Sequence, residues 1–151
     1  MSRTAARSRA RAAARLAAVQ ALYQHEMKAT AVAALLHEFH QHRLGAEIEG
    51  AEYAEADQDF FDDIVKGALA RAEEIDRLVA ARLSSGWSLD RLDKPMKAIL
   101  RAGTYELLAR ADVSVPTVIS EYVDVAHAFY DRREAGFVNG LLDAVAKDAR
   151  T

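Results

Sequence analysis

Apolar residues recur every three or four positions along most of this chain, and no stretch alternates apolar with polar residues over the length of a strand. That period belongs to amphipathic helices, so the pattern predicts an all-α protein, a compact bundle of six or seven helices. The opening helix is read over Arg7 to Lys28, a run of good helix formers without Gly or Pro, with Ala12, Leu16, Val19, Tyr23 and Met27 sharing its core sector. Thr30 reads as the N-cap of a second helix that carries Val32, Leu35, Leu36 and Phe39 and ends near Leu44 and Gly45. A long helix follows from about Ala56 to Leu83, with Asp57 and Asp59 favoured at its N-terminus by the helix dipole and a kink expected at Gly67. Ser84, Ser85 and Gly86 end it.

Pro95 fits the first turn of the next helix, whose buried stripe is Met96, Ile99, Leu100, Gly103 and Leu107. Asp112 to Pro116 reads as an extended link, because the residue before proline avoids the helical region. Two more helices follow, one through Val118, Tyr122 and Phe129, the other through Phe137, Leu141 and Val145, separated by Asp131 to Glu134. Residues 1–151 are expected to form one unit of two small helical subdomains sharing a core, a first half over about 7–84 and a second over about 88–148.

Charge changes the picture of the first helix. Arg3, Arg7, Arg9, Arg11 and Arg15 precede the first acidic residue, so this end carries +5 while the net charge of -3 leaves -8 for the remainder. Arg7, Arg11 and Arg15 are spaced by four and form a slowly drifting stripe, each about 6 Å further along the axis. Arginine in the first turns opposes the helix dipole, which makes it a poor choice for stability alone. A stripe of guanidinium groups favours bidentate phosphate contacts and stacking on bases, and such a pole attracts polyanions by counterion release. The competing reading is a solvated face, or a surface that docks on an acidic protein.

Other chemistry is thin. Without cysteine there is no disulfide, thiolate metal site or cysteine nucleophile, and a reducing cytoplasm suits the composition. No run approaches the roughly 20 apolar residues that span a bilayer, and the alanine-rich face of the basic helix is too weak for firm membrane insertion. His37, His40 and His42 cluster, yet no third ligand follows at a familiar spacing, so no metal site is expected. Asp62–Asp63 and Glu73–Glu74 read as solvated helix faces, since adjacent residues point apart. The segment from Glu47 to Asp63, with eight acids and no Lys or Arg, reads in its first half as a mobile acidic loop. No phosphate-binding or nucleophile motif is present, so no enzyme, catalytic residue or cofactor is expected.

Three blocks carry a resemblance. Arg11-x-x-Ala-Arg15-x-x-Ala-Val-Gln20-Ala-Leu22-Tyr23, Ala98-Ile-Leu-Arg101-x-x-x-Tyr105-Glu106-Leu-Leu and Phe137-Val-Asn139-Gly140-x-Leu-Asp143 stand in order. With the Val115–Pro116 to Glu121 segment, they make the chain similar to the NusB family of transcription antitermination factors from about Arg7 to Lys147. The resemblance implies a non-enzymatic, all-helical protein without cofactors. Its partners would be the boxA sequence of ribosomal RNA leader transcripts, the small-subunit ribosomal protein that doubles as NusE, and the elongating RNA polymerase. A homodimer covering the basic helix is compatible with the same surface. The family's RNA-contacting helix lands on Arg11 and Arg15, with Arg7 and Arg9 one turn earlier; Ala12 and Ala13 stand where basic residues are common in the family. Phe137 is expected in the core, Gly140 at a close helix contact and Asn139 bonded to a neighbouring helix; alternatively Arg132, Arg133 and Phe137 extend the RNA surface beside the first helix. Tyr23 is core by phase, with its hydroxyl a candidate for partner binding. Arg101 and Glu106 are expected to pair within the bundle. Similar helical domains also precede RNA cytosine methyltransferase domains, but no cofactor-binding module follows here.

Overall fold

The computed structural model describes residues 3–42 and 56–150. Among them stand seven α-helices: α1 (Arg3–Met27), α2 (Val32–His42), α3 (Gln58–Ala70), α4 (Ala72–Arg82), α5 (Lys94–Ala109), α6 (Val115–Phe129) and α7 (Arg132–Ala149). A single 3-10 turn, Leu89–Arg91, links α4 to α5. The described residues contain no strand, as the helical period implied, and no helix among them is long and apolar enough to cross a membrane. The acidic-loop expectation and the end of the second helix near Leu44 fall largely outside the described residues.

The centre of the fold is α5, which packs against α1, α3, α4, α6 and α7. It is buried almost all round from Met96 to Leu107, so it lacks a polar face along its middle. Pro95 sits in its first turn as expected. Beside it lies α1, enclosed by α2, α3, α5 and α6. The buried residues of α1 are Ala14, Arg15, Ala17, Ala18, Val19, Ala21 and Leu22. This arc is centred about 140° round the helix from the expected sector: of that sector only Val19 is buried, Leu16 and Tyr23 are half-buried, and Met27 is 56% exposed. The cause is alanine. A helix face built of small side chains lets its neighbours approach closely, so the alanine face, and not the stripe of larger residues, meets α5.

Local signals set the other boundaries. The Asp57 carboxylate accepts the Phe60 N–H at 3.0 Å and caps α3; the Ser114 hydroxyl does the same for Thr117 at the start of α6, with Pro116 in the first turn. Thr30 is not the cap of α2. Its hydroxyl donates to the Lys28 carbonyl, and the helix starts two residues later. The expected long third helix is two helices, broken at Arg71 and not at Gly67. Gly67 serves packing instead, since a Cβ there would lie 2.1 Å from the Tyr105 ring. Gly86, at φ +88°, makes the turn that follows α4.

Candidate nucleic-acid interface

The arginine stripe of α1 divides into an outer and an inner part. Arg3, Arg7 and Arg9 are exposed, and no ion pair or hydrogen bond to a carboxylate joins them to the other described residues. The first turn of α1 contains no acid. Arg9 lies about 200° round the helix from Arg7, so the two flank the axis on different sides.

Arg15 is a correction. Its side chain is 3% exposed and grips Glu106 of α5 in a bidentate pair, with Nε to Oε2 at 2.8 Å and Nη2 to Oε1 at 3.0 Å. Its Nη1 lies 3.6 Å from Glu121 of α6. Burial opposes the guanidinium charge, but the hydrogen bonds and charge of Glu106 outweigh it, and the Arg15 pKa is raised. Burial is also the leading reason that Glu121 is raised, against the pull of Arg15. The fully buried Tyr122 phenol beside Glu106 is pushed well above its ordinary value by burial first and then by that carboxylate's charge. Arg15 therefore sits in an ionic core at the inner end of the groove beside α1, with its Nε and Nη2 donors taken by Glu106. No acid near Arg15 in sequence announces this pair, because Glu106 is 91 residues away.

Arg11 stands between the two states. Its side chain is 16% exposed, with Nε 3.8 Å from Asp57 and Nη1 3.7 Å from Asp112, both longer than a hydrogen bond. Its guanidinium lies 4.5 Å from the centre of the Phe60 ring, and those of Arg15 and Arg110 each lie 4.9 Å from it. One phenylalanine thus gathers three cations by cation–π contact. Arg110 is tied in turn to Asp112 at 3.1 Å and to Asp63 at 3.4 Å, and Asp63 also accepts the Tyr105 hydroxyl at 2.6 Å. Arg150 closes this end by donating to the carbonyls of Glu106, Leu107, Arg110 and Val113, at the C-terminus of α5 and the link after it; those of Glu106 and Arg110 also accept a backbone N–H. Phe60, Arg110 and Arg150 were not singled out from the sequence; only the helical phase of Phe60 hinted at burial, and nothing local announced the cations around it.

The third block is also corrected. Phe137 is 39% exposed, Asn139 and Gly140 face solvent, and nothing approaches a Cβ built on Gly140. The block's core contacts are Val138 and Leu142, not Phe137 or Gly140. Arg132 and Arg133 are exposed as well, but they do not extend the surface beside α1. The α1 stripe lies against the start of α6, at Thr117 and Glu121, while Arg132 follows its far end. The 15 residues of α6 put about 22 Å between the two. Phe137 instead borders a groove of about 570 Å³ with Leu83, Trp87, Leu92, Met96 and Tyr130.

Remaining candidates are absorbed by the fold. Arg101 pairs with Asp76 and Glu26, and Glu106 with Arg15, so both are internal as expected, though not with each other. Asp62 and Asp63 are more engaged than a solvated face, since His40 meets Asp62 at 2.6 Å. No group of three candidate ligands among the described residues gathers into a metal site. Tyr23 is half-buried against the core.

The sequence model of the NusB family matches residues 12–147. The transcription antitermination protein NusB of Sphingopyxis alaskensis is 73% identical over 144 residues, covering 95% of this chain and 97% of that protein. Among solved structures, T. maritima NusB superposes with a TM-score of 0.75 at 29% identity, covering 91% of each chain. A crystal structure of the antitermination factors NusB and NusE in complex with dsRNA matches with a TM-score of 0.74 at 25% identity, over 91% of this chain and 96% of that one.

Proposed function

This chain belongs to the NusB family, and from that premise we propose that it is a transcription antitermination factor that holds boxA RNA of ribosomal leader transcripts with the tip of α1. It works with the ribosomal protein NusE, as the related NusB does in its complex with NusE and RNA, and the pair joins the elongating RNA polymerase. It acts in the cytoplasm, binds without catalysis of its own, and needs no cofactor. The observation that carries the reading is the outer arginine group. Arg7 and Arg9 are exposed on a helix whose first turn holds no acid, with Arg11 behind them. Arg15 is left out of the contact set because Glu106 already occupies it.

Charge on one helix supplies affinity more than discrimination, since reading unpaired bases takes stacking surfaces and polar groups at base edges. With three phosphates neutralised, log K is expected to fall with log salt at a slope of about -2 for single-stranded RNA. The decisive variant is R7E with R9E. Gel-shift titration is expected to show at least a tenfold loss of boxA affinity, with the helical circular dichroism and melting temperature of the native protein. Unchanged affinity refutes the site.

The make-up of a groove at the other end of the molecule supports a protein partner there. The groove bordered by Trp87, which is 59% exposed, and Phe137 also holds Met96, Tyr130, Arg91 and Arg133. Aromatics, Met and Arg are the residues enriched in protein interfaces. Its basic groups are accompanied by Asp93 and Glu134, so it is not a second positive pole. A protein partner seats there, on Arg133 and Phe137.

A further inference from the structure

Between α1 and the start of α6 runs a groove of about 360 Å³, lined by Arg7, Ser8, Arg11, Asp112, Ser114 and Thr117. The start of α6 has little to offer a ligand. Ser114 accepts from the Thr117 N–H at 3.3 Å and donates to the Thr117 hydroxyl at 2.9 Å. The cationic donors in the groove are guanidinium groups. Arg11 is held in place by the Phe60 ring, yet its Nε is buried without a hydrogen bond and its nearest carboxylates stand at 3.7 and 3.8 Å. Asp112 is the more exposed of these two, at 53%. The same Oδ2 atom that faces Arg11 already accepts from Arg110 at 3.1 Å. Arg11 is thus neutralised at long range and hydrogen-bonded by neither partner.

We propose that Asp112 is a built-in competitor for the transcript: in the free protein its carboxylate holds the place beside Arg11 that an RNA phosphate takes, and it thereby sets the affinity of this groove. The inference rests on the RNA reading above and names a residue that tunes it. A phosphate seated at Arg11 lies about 5 Å from Asp112, close enough for repulsion across water to weaken binding about fourfold. Replacing the carboxylate by the neutral amide of the same shape removes that repulsion and leaves Arg11 on its phenylalanine.

The test is D112N, titrated with fluorescently labelled single-stranded boxA RNA by anisotropy at three salt concentrations. D90N, an equal charge change on the exposed turn before α5, is the control. D112N is expected to bind three- to tenfold more tightly than the native protein at low salt, with a gain that shrinks as salt rises, while D90N changes affinity less than twofold. A D112N protein that binds no better than D90N overturns the inference, and so does one that binds more weakly, which would make Asp112 a support for Arg11. The RNA reading fails separately: native protein that shows no saturable binding to the RNA overturns that reading before Asp112 is considered.

Discussion

Two of the blocks that make this sequence recognisable point inward and one points outward. Arg15 of the first block and Glu106 of the second meet in a bidentate pair from which water is excluded, with Glu121 alongside. In the third block Val138 is fully buried, but Phe137, Asn139 and Gly140 beside it are exposed. On sequence alone all three read as helix-core patterns with an occasional polar residue. The comparison teaches that a charged residue in such a block can be fully buried, and an aromatic exposed. What separates them is the presence of a complementary partner from a distant element. The arginine at the inner end of the α1 stripe finds carboxylates on α5 and α6, whereas Arg7, two turns earlier, has passed beyond them.

The strongest way to break this contrast is Arg15→Ala. It leaves Glu106 buried without its cation, and removing one partner of a buried ion pair costs about 3 to 5 kcal/mol. Urea denaturation is expected to show a loss of that size, a large fraction of the about 5 to 15 kcal/mol that holds an ordinary domain folded. The paired replacement R15M with E106L, which removes both charges, is expected to recover most of it. Native stability in Arg15→Ala would mean that the inner arginine is free after all and belongs with Arg7.

Neighbouring residues of the third block sharpen the contrast at a smaller scale. Val138→Ala removes fully buried methyl groups and is expected to cost about 2 kcal/mol, while Phe137→Ala, though it deletes a larger side chain, is expected to cost less than about 1 kcal/mol. Gly140→Ala should stabilise by up to about 1 kcal/mol, because the added methyl meets nothing and alanine is the better helix former. A destabilised Gly140→Ala in the same denaturant series would show a neighbour packed on that face.

These outcomes bear on how much the chain discloses before it folds. The helix count and several boundaries were legible because they depend on local chemistry: Pro95 in a first turn, Asp57 at the start of α3, Gly86 in the turn after α4. Val115 and Pro116, expected to be an extended link, instead open α6, because proline also fits a first helical turn. The exposed tip of α1 was legible because charge without nearby acid is a property of the sequence. The rotation of α1 was not, since its burial follows alanines that carry almost no hydrophobic signal. Nor was the fate of Arg11 and Arg15, which depends on which acids α3, α5 and α6 bring to them. Asp57, Glu106, Asp112 and Glu121 are scattered over more than 60 residues, and only packing makes them neighbours.

The finest distinction concerns Tyr105, which stands beside Glu106 in the inward-facing second block but reaches Asp63 with its hydroxyl at 2.6 Å. Burial first, and then the hydrogen bond to Asp63 and that carboxylate's charge, push its pKa up to about 12. An unfolded tyrosine titrates near about 10. Between those values the native protein holds a proton that the unfolded chain has released, so this group's contribution is complete below pH ~10 and lost as pH rises through ~12. Tyr105→Phe lacks both the hydrogen bond and the titration. At pH 7 it is expected to be less stable by about 1 kcal/mol, and the gap to the native protein is expected to narrow as unfolding is measured at rising pH between about 10 and 12. Tyr122 and Tyr130, also raised by burial, titrate in both proteins and cancel from the difference. A gap that stays constant across that range would mean the Tyr105 phenol ionises as readily folded as unfolded, and would place the edge of the second block in solvent with the third.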